Sequence, residues 1–194
     1  MKERGDRMEQ QVLDTIHHVI KHVWINEISK DYEASFLLKE DTLKNAFYYH
    51  IRRHLQDDFL KEHNLAIFTE FCLPHTKQRV DLAIVEISPD VEGKYLSDCV
   101  VNIISVIEMK HKNASVPDIV FQNDVNKIIG YTKSIPFTDT RYYLAFIREF
   151  FFWPEEVGGW LENSEQLYPV GRITELLSYG CLKEDQMIWR VLEH

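Results

Sequence analysis

The sequence predicts an α/β protein in which a mixed sheet is flanked by helices, and three observations predict it. Apolar residues recur at helical spacing through the N-terminal third of the chain. The period then changes to two strand-like runs, "LAIFTEFCL" and "RVDLAIVEI", joined by the short turn "PHTKQ". A third run, "CVVNIISVIEMK", is followed by a helical segment and a fourth run, "RYYLAFIREFFFW", which is the pattern of a βαβ crossover. A hairpin feeding a crossover gives a mixed sheet.

In chain order, Val12, Ile16, Val19, Ile20, Val23 and Ile28 define an amphipathic helix from about residue 8 to 29. A second helix begins near Asp41 with an acidic first turn and carries Leu43, Phe47, Ile51, Leu55 and Phe59 on one face. After the hairpin, "SPDVEGKYLSD" is a loop insertion before the third strand, Cys99 to Lys110. Pro117 suits the first position of the next helix, whose apolar face is Ile119, Val120, Val125, Ile128, Ile129 and Tyr131. The tail from about 150 to 194 mixes a helix around Ile173 to Ser178 with irregular pieces.

The 194 residues, 45% apolar and 27% charged, suit one domain over 1–194 with its core at about 41–147. No apolar stretch approaches the roughly 20 residues of a membrane helix, and the N-terminus lacks a signal-like apolar core, so a cytoplasmic protein away from membranes is expected. Cys72, Cys99 and Cys181 form no C-x-x-C pair and are expected to be small core residues. A net charge of −9 disfavours adhesion to polyanions through the whole surface, so a nucleic acid must meet a local basic patch.

The charged residues that interrupt the apolar runs carry the functional reading. Glu108 and Lys110 project from one face of the third strand, one pleat apart. If the second strand pairs beside it, Asp81 lies next to Glu108, and two carboxylates in a partly dry sheet repel unless a cation lies between them. A hard divalent ion such as Mg²⁺, with water and phosphate oxygen completing its shell, satisfies that pair. Lys110 would then hold water or stabilise phosphate charge. The bland alternative is a salt-bridge group at strand ends.

Asp81 in "QRVDLAIVEI" and Glu108-Met109-Lys110 in "SVIEMKHK" together resemble the PD-(D/E)XK nuclease superfamily, the restriction-endonuclease-like fold. The resemblance spans about residues 41–147. It implies an αβββαβ core here extended by an N-terminal helix and a mixed C-terminal tail, and Mg²⁺-dependent hydrolysis of DNA, with Mn²⁺ as a substitute ion. It implies Asp81 and Glu108 as metal ligands, Lys110 as a catalytic residue, and Glu70 in "IFTEFCLP" as a fourth site residue. Glu40 on the preceding helix and Gln122 or Lys127 on the following one are supporting candidates. No Pro precedes Asp81, and the separation from Asp81 to Glu108 is long for the pattern. A homodimer is compatible with cutting both strands. The alternative from another class is a nuclease-fold binding module without catalysis; a third is an unrelated α/β fold.

The remaining signals are weaker. His18 with His22, and His50 with His54, are i, i+4 pairs without the Glu of an H-E-x-x-H site, so ordinary helix-face histidines are expected. No G-x-G-x-x-G, Walker loop or G-x-S-x-G elbow is present. Phe150, Phe151, Phe152 and Trp153 offer a surface for stacking nucleobases, but after an apolar strand they are expected to be core or a dimer surface. Lys110, His111, Lys112, Lys127, Lys133, Arg52 and Arg53 are the candidate phosphate contacts.

Overall fold

A computed structural model of the chain describes residues 10–74, 78–88, 95–137, 139–162, 164 and 166–194. The N-terminal helix is longer than its periodicity suggests: α1 (Gln10–His22) runs through a π-helical segment (Val23–Ile28) into α2 (Ser29–Glu33). Then come α3 (Glu40–Leu55) and the short α4 (Asp57–Glu62). The second helix is therefore broken, at Gln56, whose φ of 66° no helix continues. The strands are β1 (Leu65–Cys72), β2 (Arg79–Ile87) and β3 (Val100–Asn113), followed by α5 (Ile119–Ser134), β4 (Arg141–Phe152), β5 (Ile173–Cys181) and β6 (Gln186–Glu193). Pro117 lies just ahead of α5, two residues before its first helical position. Most of the turn "PHTKQ" and of the loop "SPDVEGKYLSD" lies outside the described residues.

The six strands form one mixed sheet in the order β1-β2-β3-β4-β5-β6. β1, β2 and β3 pair antiparallel, β3, β4 and β5 parallel, and β6 returns antiparallel. The tail thus corrects the sequence reading: Ile173 to Ser178 is strand, not helix. β5 is buried along its whole length, between β4 and β6 and under both faces, so its sequence has no alternation to read. β3 also outruns its expected end, so Lys110 sits inside the strand opposite Phe146.

Each face of the sheet buries its own core. On one, Ile16, Ile20, Trp24, Leu43, Phe47 and Ile51 from the N-terminal helices cover Leu82, Ile84, Ile107, Met109, Ala145 and Leu176. On the other, Phe121, Val125 and Ile128 of α5, with Leu161 of the β4–β5 connection, cover Ala83, Val85, Val106, Leu144, Phe146 and Leu177. Among the described residues no helix is long and apolar enough to cross a membrane. None of the three cysteines is in a disulfide; Cys181 is buried, but Cys72, expected in the core, is exposed and Cys99 is half-buried.

Candidate functional site

β2 and β3 bring Asp81 and Glu108 together. The pairs Leu82↔Ile107 and Ala83↔Val106 place Asp81 opposite Glu108, and Asp81 Oδ2 accepts the Met109 N–H at 2.7 Å. One strand further out, Thr69↔Leu82 and Phe71↔Val80 bracket Glu70 against Asp81. Three carboxylates therefore stand in one row across three strands.

β1 and β2 both break alternation at that row. Phe68 and Phe71 face α5 although they are three residues apart, and so do Val80 and Ala83. Strict alternation forbids this, and in β1 the fault lies at Glu70, whose φ is +52°. A left-handed glutamate is uncommon and strained, and such backbone concentrates at functional sites. The kink leaves Glu70 half-exposed and ion-paired to Lys44 of α3, whose ammonium also lies 3.3 Å from Asp81 Oδ1.

Glu108 is the buried member of the row, 3% exposed. Tyr131 of α5 donates its hydroxyl to Glu108 Oε1 at 3.0 Å, and Lys127 Nζ lies 3.9 Å from Oε2. Burial first, and the Asp81 charge second, push the Glu108 carboxyl up to about 8. Burial first, and the Glu108 carboxylate second, raise the Tyr131 phenol in turn.

Lys110 points to a second knot of charge. Its ammonium is 2.8 Å from Asp124 Oδ2 and 3.3 Å from Glu40 Oε2. Lys127 pairs with Asp124 at 2.6 Å, and Lys112 with Glu40 at 3.3 Å. Burial works against the Lys110 charge, but Asp124 and Glu40 outweigh it and its pKa is raised. Lys110 is thus a fixed cation rather than a proton acceptor at neutral pH. Lys44 and Lys127 behave alike, their acid partners outweighing burial.

Of the residues singled out from sequence, Glu40, Glu70, Asp81, Glu108, Lys110 and Lys127 all enter this charged cluster, whereas Gln122 is half-buried on α5 and makes no side-chain hydrogen bond to it among the described residues. Sequence reasoning missed Lys44, Asp124 and Tyr131. Two carried a signal: Lys44 shares a stripe with Phe47 and Ile51, and Asp124 with Phe121 and Ile128, so each is a charge on a core face.

The other candidates are dispersed. Arg52 is bonded to Asp57, His111 lies 3.3 Å from Glu149, and Arg53 and Lys133 are exposed. The run Phe150 to Trp153 does not form one surface. Phe152 turns toward a cavity of about 130 Å³ that it lines with Arg148, Trp160 and Tyr179, while Phe150, Phe151 and Trp153 are exposed.

Searches of known protein families, curated proteins and solved structures gave no match to the chain. The chain is thus an α/β protein with N-terminal helices and a six-stranded mixed open sheet on which helices pack, and the candidate residues gather where β2 and β3 meet α3 and α5.

Proposed function

We propose that the chain is a divalent-metal-dependent nuclease of the PD-(D/E)XK type, hydrolysing phosphodiester bonds of DNA. One observation carries the reading: Asp81 and Glu108 stand side by side on neighbouring strands, two residues before a charged lysine, within a helix-strand-strand-strand-helix-strand order. The donor set fits a hard cation. It offers carboxylate oxygen only, and each carboxylate keeps lone pairs beyond those its hydrogen bonds use. Asp81 and Glu108 would hold Mg²⁺ or Mn²⁺, which supplies an acidified water and neutralises phosphate charge.

The chain's own groups do the rest. The Met109 N–H and the Tyr131 hydroxyl fix the orientation of the two carboxylates. Lys110, kept protonated by Asp124 and Glu40, presents a positive charge to phosphate oxygens as negative charge grows on them. Lys44 holds Asp81 and Glu70 in place from α3. The reading predicts cleavage of single- or double-stranded DNA in Mg²⁺ or Mn²⁺, falling by roughly 10²-fold or more in Asp81→Ala and Lys110→Met. Pure, folded chain that leaves every DNA form intact with either ion overturns it.

A second reading, a binding module of the same fold without catalysis, is favoured by one feature. With Glu108 protonated, Glu40, Glu70, Asp81 and Asp124 face Lys44, Lys110, Lys112 and Lys127, so the cluster is balanced without an ion. Absence of Mn²⁺ uptake that depends on Asp81 and Glu108 selects this reading.

A further inference from the structure

We propose a second cation site, for a transition metal of the zinc class, formed by His22, Glu27 and His54 where the N-terminal helix crosses α3. One ligand atom from each of the three lies within 4.8 Å of the others, the one such trio among the described residues. His54 Nε2 is 3.3 Å from Glu27 Oε1, and the His22 and His54 rings meet edge-on with centroids 5.0 Å apart. Ligand atoms around a tetrahedral zinc ion stand about 3.4 Å apart, given Zn–N and Zn–O bonds near 2.0–2.2 Å. Closing the trio onto an ion therefore needs only side-chain movement.

The backbone is wound to make this trio. Residues five apart on an α-helix point about 140° away from each other at 3.6 residues per turn. His22 and Glu27 are five apart, yet they share a face because the segment Val23–Ile28 between them is π-helical. Single π turns are rare, and they are frequent at functional sites. The Asn26 amide nitrogen, inside the turn, lies 3.2 Å from His22 Nδ1 and donates to the His22 carbonyl at 3.1 Å; a metal on Nε2 requires this amide to turn so that its oxygen accepts the Nδ1–H.

Ligand chemistry selects the ion. Two imidazoles and one carboxylate suit Zn²⁺ and its neighbours, whereas Mg²⁺ wants oxygen alone. Three protein ligands leave a fourth position for water. His54 lies ten residues along α3 from Lys44, about 15 Å at 1.5 Å per residue, so this site is separate from the carboxylate row. It ties the π segment to α3 and acts as a clamp between them.

The test is a Zn²⁺ titration of the full, metal-stripped chain followed by the ring nitrogen resonances of its histidines. The His22 and His54 signals are expected to move together and saturate at one equivalent, while His17 and His50, held by Tyr143 and Asp31, stay in place. His54→Ala and Glu27→Gln each weaken uptake at least tenfold and abolish the rise in melting temperature that zinc gives the parent chain. His54 is partly exposed, and Glu27→Gln keeps the shape of the site, so folding of at least one variant is secure. Absence of stoichiometric uptake, or uptake that survives both substitutions or disappears in Asp81→Ala instead, overturns the proposal.

Discussion

At Glu108, burial and the Asp81 carboxylate raise the carboxyl pKa to about 8, so most molecules carry its proton at pH 7. The unfolded chain loses that proton near 4.5, so between about pH 4.5 and 8 the native state binds more protons and stability falls as pH rises. The limiting slope for one such group is about 1.4 kcal/mol per pH unit. Glu108→Gln removes the group from the balance. Urea titrations across that window, without divalent ions, are expected to give a shallower pH dependence for the variant than for the parent chain. Equal slopes would place the strain elsewhere. Asp81, Glu108 and Lys110 were legible as candidates because each charge interrupts an apolar strand run, a pattern that an ordinary salt-bridge group shares. Their partners were not, because Tyr131 looks like any core aromatic until α5 is docked over β3.

Among the elements, β5 shows most clearly what sequence periodicity conceals. Buried on both faces, it reads as well for helix as for strand, and only its pairing with β4 and β6 decides. Inside it, Glu175 is fully buried and anchors the β4–β5 connection. Its carboxylate accepts the Trp160 and Leu161 N–H groups at 2.7 and 2.9 Å, and His194 Nε2 lies 2.9 Å away. Glu175→Ala leaves two amides without an acceptor and opens space, so a loss of about 2–4 kcal/mol is expected by urea denaturation. A loss below about 1 kcal/mol would show that water replaces the carboxylate. The π segment was equally hidden. Its sequence, "VWINEI", continues the helical pattern, and histidine spacing within single helices carries no sign of the His22–His54 pair formed between two helices.

On the scale of the whole molecule, the sheet converts separations along the chain into adjacency. Asp81 and Glu108 meet although the "SPDVEGKYLSD" loop separates them, because β2 and β3 pair antiparallel around it. α3 and α5, on opposite faces of the sheet, then deliver Lys44 and Asp124 to the same region. The N-terminal helix, the hairpin and the βαβ unit were readable from periodicity, since each has one wet face or a clear change of period. The C-terminal pair of strands lacked that contrast. Calorimetric titration with Mn²⁺ at pH 7 in two buffers of different ionisation enthalpy decides whether this convergence holds the proposed divalent ion. One ion per chain, uptake accompanied by release of close to one proton as Glu108 ionises, loss of both in Glu108→Gln and retention of both in His54→Ala are the predicted results. No uptake, or uptake indifferent to Glu108, would contradict it.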